Sequence, residues 1–306
     1  ERLCILRLAN MCVCICRMGT NTTNATVLQS PLAGSLEASP HNGIHYWTGN
    51  PELPLIQDMG TFSTASRDPI FYTHHSNIDR LWDRWRHGMP GGERTDHTDP
   101  DFLEAEFMFY DEEARMVKVK VKDALDMEKL GYMYKSVRKG DMHWVRFKPE
   151  VVTRGSAMET IDESRVTEVW PAGEKDIRSI KLGAGPFVAS VKRPDKPKPS
   201  AGHISVNNLI LVIQGLEVAD RTKFVQVIVF VNMPHAMSGT PTNSAEYVGT
   251  INLVPEAPTT SSTRLINVQF EIGDNLKRIG IQDEPRVVIS LVTKGVDPEV
   301  SIRGML

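Results

Sequence analysis

The chain has 306 residues, with 35 Lys and Arg against 38 Asp and Glu, a formal net charge of -3, and 41% hydrophobic residues. It is too apolar for a disordered chain, too evenly charged for a dedicated nucleic-acid binder, and with 4 Cys too poor in cysteine for a disulfide-dense scaffold. Its longest apolar runs, Leu209–Ile213 and Val227–Val231, are strand-sized and far short of the roughly 20 residues that cross a bilayer.

Residues 1–29 form an atypical N-terminal segment. They hold all four cysteines, Cys4, Cys12, Cys14 and Cys16. A Cys-x-Cys-x-Cys run could take a soft metal, but it lacks the spacing and histidine partners of a zinc site. The preferred reading is a segment with no defined site, at the start of a fragment. Arg2, Arg7 and Arg17 interrupt the apolar stretch that a signal peptide needs.

Up to about residue 110 the pattern reads as loops and helices. Ser39-Pro40 predicts an N-cap and first helical residue, with Gly49 and Pro51 ending a short helix. Asp68-Pro69 repeats the start signal. Phe71, Ile78, Leu81, Trp82 and Trp85 then follow at helical spacing up to Gly88. From about residue 115 onward strands dominate. Val117, Val119 and Val121 alternate with Lys118 and Lys120, as in a strand with one wet face. Residues 192–199, KRPDKPKP, read as a protease-exposed linker; Lys139–Glu163 is a second candidate for such exposure. Beyond it, strands are predicted at Leu209–Ile213, Phe224–Val231, Ile266–Ile272 and Val287–Val292, together a small sandwich or barrel.

The chemistry concentrates in residues 37–85. His41 and His45 stand one helical turn apart, so both imidazoles can reach one metal. Thirty residues later (75 − 45) comes His74-His75 within the longer helix. Three neutral imidazoles suit copper, zinc, iron or nickel. Spacing alone goes no further than a three-histidine metal site.

The particular residues go further. SPHNGIHYWTG, DMGTFSTASRDPIFYTHHSNIDRLWDRW and DFLEAEFMFYDEEARMVKVKVKDALD resemble the plant polyphenol oxidases, of the catechol oxidase/tyrosinase family, from about residue 30 to the end. The D-P-I-F-Y-x-x-H-x-x-x-D string is specific to type-3 copper proteins, and the segment after it to the plant branch. The resemblance implies a copper, CuB, held by His41, His45 and His75. His74 is read as a non-ligand, since adjacent helical residues point about 100° apart. By the same resemblance Glu37 holds a water at the copper, Asn42 modulates substrate deprotonation, and Phe62 overhangs the metal. Asp79 is read either as holding an imidazole or as a surface carboxylate paired with Arg80. Tyr132 and Tyr134 match a tyrosine motif that closes the catalytic core, and are read as strand tyrosines.

The implied fold is a mainly α half-bundle carrying the CuB site, followed by a β-rich, sandwich-like C-terminal domain: an α+β, multidomain chain. Its divisions are placed at 30–100 for the CuB half, 101–150 for the central segment, 151–203 for a linker region and 204–306 for a β-rich shielding domain. The implied reaction is oxidation of o-diphenols to o-quinones with O2 at two coppers. The histidines not yet used, His87, His97, His143, His203 and His235, all lie downstream, and none falls in a CuA context. A half-site of low solubility, weak copper affinity and little turnover is therefore expected. The alternatives are a non-catalytic remnant binding one copper, and a hemocyanin-like oxygen carrier. The partners implied are a small phenol and O2, with no nucleic acid and no membrane span. The family resides in the plastid, in the thylakoid lumen; no transit peptide is recognised here.

Overall fold

The computed structural model describes residues 32–33, 36–87, 96, 100–135, 166–169, 179–193, 209–256, 265–294 and 299–306. The cysteine run, most of the 192–199 linker and the 139–163 stretch lie outside them.

The described residues open with strand β1 (Leu32–Ala33) and a π-helical turn (Glu37–His41) that runs into α1 (Asn42–Thr48). Helices α2 (Phe62–Ala65), α3 (Ile70–His87) and α4 (Pro100–Leu103) follow, then strands β2 (Glu106–Tyr110) and β3 (Met116–Lys120). The remainder is β4 (Thr167–Glu168), β5 (Ile180–Leu182), β6 (Phe187–Lys192), β7 (Ile210–Val218), β8 (Val225–Val231), β9 (Tyr247–Leu253) and β10 (Ile266–Glu271). After a short helix α5 (Gly273–Arg278) come β11 (Arg286–Lys294), β12 (Val300–Ile302) and β13 (Gly304–Met305). This is the expected mixed α+β architecture.

Two compact units divide the described residues, one drawn from 64–147 and the other from 19–63 with 148–306. In the first, α3 is followed by the β2–β3 hairpin. Phe107 pairs with Val119 and Phe109 with Val117, which puts the half-buried side chains on one face and Met108, Tyr110 and Lys118 on the other. Within this unit strand structure thus begins at Glu106, earlier than expected. The alternation of Phe107 and Phe109 with Glu106 and Met108 is a period-2 pattern too short to stand out.

In the second unit two sheets share a core. One runs β1-β10-β7-β12-β5, with β13 also on β7; the other runs β4-β6-β11-β8-β9. Leu211, Ile213, Val268 and Phe270 from the first meet Val227, Val229, Ile289 and Leu291 from the second in one buried cluster. Strand β8 is buried on both faces, because Ile228 and Phe230 enter a second cluster with Met233 and Val292. The four predicted strands correspond to β7, β8, β10 and β11. Asn267 is buried: its Oδ1 accepts the Gly215 N–H at 2.8 Å where the β7–β10 register shifts.

The same unit contains the π-helical turn and α1. Ser39 is not the N-cap, because helical backbone already begins at Leu36 and Pro40 lies inside the turn. Proline has no N–H to give the preceding turn and its ring crowds that turn, so the backbone widens locally to π geometry. Gly49 ends α1 as predicted.

Candidate metal centre

Helix α3 is built by local rules. Asp68 Oδ1 accepts the Ile70 N–H at 2.9 Å, so an Asp cap satisfies one of the otherwise orphaned first-turn donors. His74, His75, Ile78 and Asp79 are buried on one stripe, while Tyr72, Thr73 and Asn77 are exposed. The His74 and His75 rings meet edge to face at 5.3 Å, and Phe71 lies over His75 at 4.1 Å.

Asp79 is 1% exposed. Its Oδ2 accepts both the Tyr132 hydroxyl at 2.8 Å and the Tyr134 hydroxyl at 2.6 Å. The surface pairing with Arg80 is corrected: the Arg80 guanidinium donates to Asn77 Oδ1 instead. The two tyrosines also lie in irregular chain and not in a strand. Their role is to close the 131–135 segment onto α3.

Helix α1 is built differently. His45 is 1% exposed, and its Nδ1 contacts the Met59 carbonyl at 2.8 Å. A carbonyl only accepts, so Nδ1 carries the proton and Nε2 the lone pair. Burial pushes the His45 imidazole below its ordinary value of 6.5, with the Met59 hydrogen bond partly opposing, which keeps the ring neutral as a metal ligand must be. The loop that delivers Met59 holds Leu55, Ile56 and Asp58 at φ of 57°, 54° and 62°, a left-handed conformation uncommon for these residues. The loop closes on α1 where Gly49 meets Gly60; a Cβ on Gly49 would stand 2.7 Å from the Gly60 Cα.

His41 is 2% exposed and stacks edge to face on His45 at 4.7 Å. Glu37 is buried at the start of the π-helical turn. Phe62 is half-exposed and points its ring at His45, centroids 5.6 Å apart. Asn42 directs its side chain to His41 and to β9. Sequence reasoning missed two groups here, the Met59 carbonyl and Asn252; neither carries a signal, since one is backbone and the other sits in a strand that was not predicted.

Each unit buries one pair of histidines, His41 with His45 and His74 with His75. His74, read as a bystander, is buried beside His75. Buried imidazole pairs without a carboxylate suit a borderline metal such as copper and are poorly matched to calcium or magnesium.

Three family descriptions match successive parts of the chain: the common central domain of tyrosinase over 8–88, the polyphenol oxidase middle domain over 96–150, and the chloroplastic polyphenol oxidase C-terminal domain over 180–306. The first match starts well before residue 30. A polyphenol oxidase latent form from Prunus armeniaca is 34% identical over 89% of this chain and 43% of its own length. Catechol oxidase B from Solanum tuberosum is 32% identical over 90% of this chain and 45% of its own. The structure of latent apple tyrosinase superposes with a TM-score of 0.70 at 35% identity, over 89% of this chain and 56% of that one. The chain therefore spans about half the length of the relatives it matches. Consecutive matches in that order, with both histidine pairs inside the first, place this chain in the polyphenol oxidase family of copper proteins.

Proposed function

We propose that His41, His45 and His75 hold one copper, and that the protein to which these residues belong oxidises o-diphenols to o-quinones with O2. The carrying observation is two buried histidine pairs, His41 with His45 and His74 with His75, both in the segment matched by the tyrosinase central domain. Copper, when bound, supplies the redox chemistry. The residues supply the rest. His45 is kept neutral by burial, with Nε2 as its lone-pair nitrogen. Glu37, buried at the head of the same turn, holds a water that can take the phenolic proton. Phe62, edge-on to His45, screens access, and Asn42 orients His41. His74 packs behind His75. The 204–306 domain covers the site, and the chloroplastic relatives support a plastid location.

For the 306 residues taken by themselves, a second reading is one copper without turnover, since their other histidines, His87, His97, His143, His203 and His235, all lie downstream of the motif. Copper per chain and catechol oxidation, measured on one sample, separate the two. We expect one copper per chain, lost in His75→Ala, with little quinone formed by the 306 residues alone. No copper uptake, or uptake unaffected by His75→Ala, would overturn the ligand set. Two coppers with rapid quinone formation would overturn the single-copper count.

A further inference from the structure

One hydrogen-bond network ties strand β9 to the helix that carries His41 and His45. Asn252, 3% exposed, donates Nδ2 to the carbonyls of Ala38 at 3.1 Å and Ser39 at 3.0 Å. Both carbonyls belong to the π-helical turn, where the regular ladder is interrupted at Pro40. Asn252 Oδ1 in turn accepts Gln226 Nε2 from β8 at 2.7 Å, so both ends of the amide are oriented. The main-chain carbonyl of Asn252 accepts Asn42 Nδ2 at 2.9 Å.

That last bond has a chemical consequence. A carbonyl cannot donate, so Asn42 must turn its NH2 toward β9 and its Oδ1 toward His41. Asn42 Oδ1 lies 2.9 Å from His41 Nδ1 and also only accepts, so Nδ1 of His41 bears the proton and Nε2 is the lone-pair nitrogen. Two more features press α1 onto the same sheet. Tyr46 stacks on Phe224, just before β8, with ring centroids 3.3 Å apart. Gly43 leaves room for Asn252, since a Cβ there would stand 3.2 Å from Asn252 Nδ2.

We propose that Asn252 is a positioning residue for the metal helix: it holds β9 against the π-helical turn, fixes the Asn42 amide, and through it sets the tautomer of His41. The C-terminal sheet then readies a ligand as well as covering the site. Its consequence for metal binding rests on the copper reading above; the tautomer itself does not.

The test uses the whole 306-residue protein with 15N-labelled histidine. Long-range 1H–15N correlation of the metal-free protein at about pH 8, above the imidazole range, reads the His41 tautomer, assigned by its loss in His41→Gln. Wild type should be Nδ1–H. Asn252→Asp keeps the shape and the Gln226 contact but loses both donors; it should shift His41 toward Nε2–H and weaken copper(I) binding about tenfold or more, as loss of a group that orients a ligand does. Val229→Ala, in the core of the same sheet, is the stability control. It should lower the melting temperature while leaving the tautomer unchanged and copper affinity within about twofold. An unshifted His41 in Asn252→Asp, or an equal shift in Val229→Ala, overturns the proposal. If Asn252→Asp does not fold, Gly43→Ala, which retains every hydrogen-bonding group and displaces Asn252, decides in the same way. Wild type that takes up no copper while the tautomer responds as expected sinks the copper reading and leaves the positioning role standing.

Discussion

Helices α1 and α3 each bury a pair of histidines, and they do so by opposite means. Helix α3 follows from its own sequence: Asp68 caps it, Pro69 precedes its first residue, and its buried stripe recurs at helical spacing. Helix α1 has 7 residues and no side-chain cap. Isolated helices of that length are marginal in water. Its π-helical turn, the tautomer of His41 and the Nδ1 partner of His45 are all set by distant groups, Asn252 in β9 and the Met59 carbonyl beyond a left-handed loop. One helix is locally specified. The other is specified by tertiary contacts.

Replacing Asp79 by Ala breaks α3 most severely. Two tyrosine hydroxyls donate to one buried carboxylate oxygen, and hydrogen bonds to a charged group contribute about 1.5–3 kcal/mol each. We expect a loss of roughly 3 kcal/mol in denaturant unfolding, and non-additive behaviour with Tyr132→Phe and Tyr134→Phe. A loss equal to that of an ordinary surface substitution would show that the tyrosines do not depend on Asp79.

On the α1 side, Gly49→Ala places a methyl 2.7 Å from the Gly60 Cα and from Ile56 Cγ2. Backbone cannot give way as a flexible side chain can, so the loop must move, at a cost of about 1–3 kcal/mol. Because that loop carries the Met59 carbonyl, copper binding should weaken with stability. Unchanged copper binding in a destabilised Gly49→Ala would detach the loop from the site. Asp68→Ala is the smaller local counterpart, removing an N-cap at a cost of about 1 kcal/mol; thermal unfolding of the pair of variants compares the two helices directly.

The same contrast accounts for what the sequence disclosed. The α3 boundaries and strands β7, β8, β10 and β11 rest on local periodicity and capping, and all were legible. Strand β9 was not. Its YVGTINL segment has Gly249 and Asn252 in place of strand-favouring residues, and Asn252 is tolerated because it meets the π-helical turn more than 200 residues away. Likewise Ser39-Pro40 carries the signature of a helix start, but the helical backbone begins earlier at Leu36 and the orphaned carbonyls find their donor in β9. Where local chemistry and tertiary contact agree, the pattern can be read; where a remote residue completes an irregular turn, no window of neighbouring residues contains the information.

The smallest effect lies in the β2–β3 hairpin, which shows how little a surface ion network adds to a locally specified element. Lys120 Nζ stands 2.8 Å from Glu104 Oε2, and Lys122 Nζ 2.6 Å from Oε1. Hydrogen bonds first from Lys120 and then from Lys122 hold the Glu104 carboxyl down at about 2, against an ordinary 4.5. Between those values the unfolded chain binds the proton and the folded chain does not. The contribution is therefore fully present above the unfolded value and is lost as pH falls through the folded one. All three side chains are exposed, so solvent and salt screen the attraction, and the effect on stability should be slight. Thermal unfolding of wild type and Glu104→Gln should differ a little at neutral pH and converge as the carboxylate is protonated. In about 1 M salt, where charges are screened within roughly 3 Å, the neutral-pH difference should shrink as well. If it survives high salt unchanged, Glu104 acts through hydrogen-bond geometry and not charge, and the hairpin depends on its side chains more than α3 depends on its cap.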